Sequence, residues 1–178
     1  YVVFTTSGSS ALTLAFYCID INIKKKIVIP NRTWVATAHA AYNLNYKIQL
    51  EDIDAKNMHQ KIPIKQIINQ NNIGCLVLVS LNGRVNYINH IKKIIKKRKI
   101  IIIEDNAQSF LSGDKKKYMN SETKVACYST GSTKLLNTLQ GGFCATNDKS
   151  IYKKIILARN HGVYDLFTDR WKTPGFNL

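Results

Sequence analysis

The sequence predicts an α/β domain in three layers, α/β/α, around a mainly parallel central sheet. Two observations predict it. Short runs of β-branched and aliphatic residues alternate with segments whose apolar positions recur at i, i+3, i+4 and i+7. Several of the short runs are apolar throughout, Ile100-Ile101-Ile102-Ile103 most of all, as strands covered on both faces are. A strand–helix–strand succession of this kind builds parallel sheets with helices on their faces.

Taken in order, Val2-Val3-Phe4 reads as a short strand and Ser7-Gly8-Ser9-Ser10 as a turn of N-cap residues. The helix that follows carries Leu12, Ala15, Phe16 and Ile19 on one face. Ile27-Val28-Ile29 is a second strand, stopped by Pro30. A helix from about Thr33 to Leu44 and a strand around Ile48-Gln49-Leu50 come next. Ile64 to Gln70 reads as a short helix, and Cys75-Leu76-Val77-Leu78-Val79 as a buried strand that ends at Asn82-Gly83. Tyr87 to Lys99 has amphipathic spacing, with Ile88, Ile91, Ile94 and Ile95 inward and Lys92, Lys93, Lys96 and Lys97 toward water. The isoleucine strand follows. Lys124 to Tyr128 and Phe143-Cys144-Ala145 are further strands, the second entered through Gly141-Gly142, and Asp148 to Arg159 is a closing helix. Residues 113–123 are polar and read as a surface loop.

Composition bounds the class. A chain of 178 residues with 45% hydrophobic residues and only 3 prolines builds one domain with a proper core rather than a disordered segment. No apolar run is long enough to span a bilayer, and the N-terminus lacks the flanks of a signal peptide, so no membrane partner and a cytoplasmic location are expected. The chain opens without methionine, almost inside a strand, and is expected to be a piece of something longer. Cys18, Cys75, Cys127 and Cys144 are far apart in apolar stretches, which fits buried thiols and not a metal site. The net charge of +15 admits a nucleic-acid partner. However, the lysines cluster on predicted solvated faces with no interleaved aromatics, so no nucleic-acid partner is expected.

Four places could carry chemistry. Ser7-Gly8-Ser9-Ser10 puts backbone N–H groups and the Ser9 and Ser10 hydroxyls at a helix N-terminus, which makes either an anion site or an ordinary cap. Trp34, read on the first turn of a helix, is either core or a platform for a flat heterocycle. Asp105 falls just past the carboxyl end of the isoleucine strand, where open α/β sheets bind ligands, and Gln108 follows it. A buried acid there needs a partner, either the next loop or a cationic ring nitrogen. Ser129 and Lys134 stand among small residues just before Gly141-Gly142; neither a P-loop nor a G-x-G-x-x-G string is present.

In this order, the segments resemble the DegT/DnrJ/EryC1/StrS family of aminotransferases that use pyridoxal 5'-phosphate (PLP), over nearly the whole chain. Thr6-Ser7-Gly8-Ser9-Ser10-Ala11-Leu12 is similar to the family's S-G-T-x-A-L phosphate loop. Pro30 to Ala38 is similar to P-x-x-T-[FW]-x-A-T-A, Glu104-Asp105-Asn106-Ala107-Gln108 to E-D-x-A-[QH], and Tyr128 to Lys134 to F-S-x-x-x-x-K. Gly175-Phe176-Asn177 resembles G-[FY]-N. Val79-Ser80-Leu81-Asn82-Gly83 departs from the usual H-x-Y-G loop.

The resemblance implies the large domain of a type I PLP-dependent transferase across residues 1–178. That domain would be truncated at both ends, with the C-terminal small domain absent. It implies Lys134 as the Schiff-base lysine, Asp105 at the pyridine nitrogen, Trp34 stacked on the ring and Gln108 at the ring oxygen. Ser9, Ser10 and Ser129 would hold the phosphate, and Asn177 would reach the phosphate in a partner subunit's site. The activity implied is transfer of an amino group, from glutamate, onto a nucleotide-linked keto-sugar for amino-sugar and cell-surface polysaccharide biosynthesis, by a homodimer with shared active sites. A non-catalytic PLP-binding relative is the alternative reading. A branch of the family with histidine at the lysine position consists of dehydratases, and Lys134 argues against it.

Overall fold

The computed structural model describes residues 1–56, 61–62, 69, 71–86, 88–112, 122–164 and 171–178. The chain runs β1 (Val2–Thr5), α1 (Gly8–Cys18), β2 (Lys26–Pro30), α2 (Ala36–Tyr42), β3 (Lys47–Glu51), β4 (Ile73–Val79), α3 (Lys92–Arg98), β5 (Ile101–Asp105), β6 (Thr123–Ser129), β7 (Gly142–Ala145) and α4 (Lys149–Arg159). The strands form one sheet in the order β1-β7-β6-β5-β4-β2-β3. Strands β3, β2, β4, β5 and β6 are mutually parallel. β7 is antiparallel to both its neighbours, so the expected mainly parallel sheet is present with one reversed strand.

Alternation along each strand sorts the core into two faces. Cys75 and Val77 of β4, Ile103 of β5 and Val125 and Cys127 of β6 pack with residues of α1, α2 and α4. Leu76, Leu78 and Ile102 point the other way and pack with Ile91 and with Ile95 of α3. These are the three layers the composition pattern predicts. Phe16 and Ile103 are fully buried, each burial stabilising by roughly 1.5–3 kcal/mol relative to exposure. All four cysteines are buried and free.

Local chemistry sets the element ends. Ser7 caps α1, its Oγ accepting from the Ser10 N–H at 3.0 Å. Asp148 caps α4, its Oδ1 accepting from the Ser150 N–H at 2.8 Å and the Ile151 N–H at 3.2 Å. Three elements differ from the sequence expectation. The helix expected from Tyr87 starts as α only at Lys92, after a 3-10 turn over Asn89–Ile91. It ends where Lys99 turns left-handed (φ 52°) and the Ile100 N–H reaches back to the Ile95 carbonyl. The helix expected from Thr33 starts at Ala36, which leaves Trp34 before it rather than on its first turn. Strand β5 extends to Asp105, so the acid is the last strand residue rather than the first residue beyond it. The helix expected at Ile64 to Gln70 falls, all but one residue, outside the described residues, as does most of the 113–123 loop.

One close approach ties the sheet to α1. A Cβ on Gly142 would lie 2.5 Å from the Ser7 carbonyl carbon and 2.6 Å from the Gly8 nitrogen. Gly142→Ala is expected to destabilise the protein by about 1–3 kcal/mol in urea unfolding, because β7 and the α1 entry are forced apart. Gly131→Ala, where a Cβ meets nothing closer than the Ser129 hydroxyl at 3.6 Å, is expected to stay within about 0.5 kcal/mol of the parent.

Candidate active site

Every strand of the parallel set delivers its carboxyl end to the same side of the sheet, and a cleft of ≈ 400 Å³ opens there. Ser7, Gly8 and Ser9 enter it from the β1–α1 turn, and Thr33 and Trp34 from the segment after β2. Ser80 and Leu81 come from the end of β4, Asp105 and Gln108 from the end of β5, and Ser129 and Lys134 from the end of β6.

Asp105 is 5% exposed. It shares the face of Ile103, which turns its carboxylate toward α2, and there Thr37 donates to Oδ2 at 2.6 Å. Thr37 is in turn hydrogen-bonded to the Thr33 hydroxyl at 2.9 Å. The Ala107 N–H donates to Oδ1 at 3.1 Å. Burial pushes the Asp105 carboxyl above the ordinary carboxylate range. The Thr37 and Ala107 hydrogen bonds and the positive charge of Lys134 act against that rise without cancelling it.

The next residue in each direction along the chain faces the opposite layer. Glu104 is 3% exposed, and its carboxylate accepts from the Thr123 hydroxyl at 2.8 Å and the Asn106 amide at 3.0 Å. The same Asn106 amide donates to the Tyr128 hydroxyl at 3.3 Å. The Asn106 N–H continues the β6 ladder to the Cys127 carbonyl at 2.8 Å. The end of β5 is therefore anchored on both faces.

α1 begins directly against β6. A Cβ on Gly8 would come within 2.8 Å of the Ser129 Cβ, so only glycine lets the first turn of the helix lie beside Ser129. This juxtaposition gathers the N-terminal amides of an eleven-residue helix, the Ser9 side chain and the Ser129 hydroxyl at one end of the cleft, as an anion site requires. Trp34 borders the cleft with 72% of its surface exposed, so it is not a core residue.

Of the residues singled out from sequence, Ser9, Trp34, Asp105, Gln108, Ser129 and Lys134 line the one cleft. Ser10 is turned away from it: buried, it exchanges hydrogen bonds with the Thr6 hydroxyl at 2.8 Å and the Ser7 hydroxyl at 2.9 Å. Asn177 is exposed and forms a backbone bridge with Asn160, outside the cleft lining. Thr37 was not foreseen as a site residue. A hydroxyl one helical turn after Thr33, facing the only carboxylate that lines the cleft among the described residues, was the available signal.

The family model described as the DegT/DnrJ/EryC1/StrS aminotransferase family matches residues 1–178. The chain belongs to this family. Over 160 residues it is 31% identical to the UDP-4-amino-4,6-dideoxy-N-acetyl-beta-L-altrosamine transaminase of Campylobacter jejuni subsp. jejuni serotype O:23/36 (strain 81-176), covering 88% of this chain and 42% of that protein. It is 26% identical over 168 residues to the GDP-4-keto-6-deoxy-D-mannose 3-dehydratase of Escherichia coli O55:H7 (strain CB9615 / EPEC), covering 91% of this chain and 43% of that one. Its fold superposes on that of Helicobacter pylori PseC, an aminotransferase involved in the biosynthesis of pseudoaminic acid, with a TM-score of 0.89 at 22% identity, covering 100% of this chain and 49% of that one. The chain thus spans a little under half the length of these three relatives. No helix among the described residues is long and apolar enough to cross a membrane.

The raised Asp105 carboxyl gives a pH dependence with a definite sign. Because folding raises its proton affinity, its contribution to stability is fully present below the ordinary carboxylate value of about 3.9. It is lost as pH rises from there through the higher folded value. Asp105→Asn, which keeps the shape without the charge, is expected to flatten this loss in the ligand-free protein. Urea midpoints measured across about pH 4 to 8 for both proteins would show curves that converge at the acid end and separate toward neutrality, with the variant the more stable.

Proposed function

We propose that the cleft holds pyridoxal 5'-phosphate and that the full-length protein is an aminotransferase acting on a nucleotide-linked keto-sugar. The observation that carries this reading is the buried Asp105 carboxylate and the Lys134 amine lining one cleft at the carboxyl ends of parallel strands. A buried carboxylate with two hydrogen bonds still lacks a full counter-charge, and a protonated ring nitrogen supplies one.

The residues present fit the group. Trp34 offers a flat exposed face for the ring, and Gln108 a hydrogen bond to the ring oxygen. Ser9, Ser129 and the first amides of α1 offer an anion site for the phosphate. Ser10 supports that turn from behind, through Ser7. Asn177 is assigned to the phosphate of a partner subunit's site in a homodimer. When bound, the cofactor supplies an electron sink for the carbanion formed at the donor's α-carbon. Asp105 holds the proton on the ring nitrogen, with Thr37 and Ala107 keeping its carboxylate aimed. Lys134 would hold the cofactor through its amine and would serve as the base that takes the proton from the donor α-carbon. A lysine rather than a histidine at this position favours amino transfer over dehydration.

In this reading, glutamate is the amino donor and a nucleotide-linked keto-sugar the acceptor, for amino-sugar and polysaccharide biosynthesis. The chain serves as the large cofactor-binding domain of a cytoplasmic homodimer. The relatives' activities and the match of the whole chain to an aminotransferase family support it.

The test is a half-reaction. Full-length protein loaded with pyridoxal phosphate and mixed with glutamate is expected to convert the bound cofactor to its amino form, followed by absorbance, with 2-oxoglutarate released. Lys134→Ala is expected to slow this by at least about 1,000-fold and Asp105→Asn by at least about 100-fold. Protein that binds the cofactor but never turns it over with any amino donor would be a binder and not a transferase.

A further inference from the structure

The turn after β4 has an unusual backbone. Asn82 is left-handed (φ 52°, ψ 38°), and Gly83 after it is left-handed as well (φ 77°). Residues with a Cβ avoid this region, asparagine least of the common ones. Gly83 is packed so closely on the loop after β5 that a Cβ there would come within 3.2 Å of the Ser112 hydroxyl. The turn carries the Asn82 N–H to Gln108 Oε1 at 3.0 Å.

A peptide N–H only donates, so the Gln108 atom it meets is the amide oxygen. The Gln108 NH₂ is then turned away from Asn82. Gln108 lines both the main cleft and a neighbouring cavity of ≈ 410 Å³, whereas Asn82 borders only the neighbouring cavity. An unanchored glutamine amide can present oxygen or nitrogen with the same shape. Anchored by its oxygen, it presents nitrogen.

We propose that Asn82 is a positioning residue: its left-handed backbone pins Gln108 by the amide oxygen, so that the amide NH₂ is delivered to the main cleft as a donor. The cleft therefore selects an acceptor at this point, a phenolic or anionic oxygen on the bound ring, and disfavours a hydroxyl or N–H donor there. The proposal rests on the cofactor reading above, in which Gln108 meets the ring oxygen. It adds the residue that fixes that hydrogen bond. Asn82 is exposed, so replacing its side chain leaves the core untouched.

The experiment uses full-length protein stripped of cofactor and titrated with pyridoxal phosphate. It reads the dissociation constant and the pH midpoint of the bound chromophore's absorbance change. Asn82→Gly, which keeps the left-handed turn, is expected to stay within about twofold of the parent in affinity. Asn82→Val, which disfavours that turn, is expected to bind about tenfold more weakly, the loss of roughly one oriented hydrogen bond. Its absorbance midpoint moves to higher pH, because a donor to the ring oxygen favours the deprotonated form. Gln108→Glu, with no donor when ionised, is expected to be at least as impaired as Asn82→Val. If Asn82→Val does not fold, Asn82→Ala is read in its place, with a smaller loss of about threefold.

An Asn82→Val protein with parental affinity and midpoint would overturn the anchor. So would an Asn82→Gly protein as weak as the valine variant, or a Gln108→Glu protein that binds like the parent. If the parent takes up no pyridoxal phosphate, the cofactor reading itself fails, and the anchor with it; the two failures are told apart by the parent's titration alone.

Discussion

A carboxylate at the buried end of a parallel strand sets the terms for everything around it. Asp105 is removed from water by the sheet, by α2 and by the loops at the cleft, and its charge is thereby made expensive. Two hydrogen bonds offset part of the cost, and one of them comes from Thr37, a side chain on a helix packed across the sheet face. Because α2 begins at Ala36, its first turn puts the Thr37 hydroxyl over the end of β5. The same strand carries a second buried acid, Glu104, on the opposite face. Glu104, with Asn106, Thr123 and Tyr128, locks the end of β5 from behind, so that the orientation of Asp105 does not depend on the cleft alone.

Strand alternation links these two acids to fold and function together. A slip of one residue in the β5 register would exchange Asp105 and Glu104 between faces and would move Ile102 and Ile103 between the two cores. The hydrophobic pattern that makes the sheet stable is thus the same pattern that aims the carboxylate. The glycines at 8 and 142 act in the same sense. They let α1, β6 and β7 approach closely enough for the helix N-terminus and Ser129 to share one end of the cleft.

Much of this was legible in the chain, and what was not has a physical cause. The strands were visible because a strand covered on both faces is written as an unbroken apolar run, as in Cys75 to Val79 and in the isoleucines before Glu104. The convergence of Ser9, Trp34, Asp105, Gln108, Ser129 and Lys134 was legible because each lies at or soon after the carboxyl end of a strand. Ends were harder to read. The isoleucines at 88 and 91 keep helical spacing through a 3-10 turn, so periodicity alone ran the helix too far back. Ser10 looked like a ligand because a hydroxyl near a helix N-terminus serves a cap or an anion equally well; only the geometry turns it inward to Thr6 and Ser7. Thr37 has no compositional signal because it acts through another residue, by a hydroxyl that reaches across layers.

The central claim is that Lys134 and Asp105 face one bound pyridoxal phosphate. It is tested most directly by loading the full-length protein with the cofactor, reducing with borohydride, digesting, and mapping the modified peptide by mass spectrometry. The chain contains 21 lysines, so the position of the label is informative. The account predicts a single reduced cofactor adduct on Lys134. A label on another lysine, or none in a protein that retains the cofactor, would contradict it.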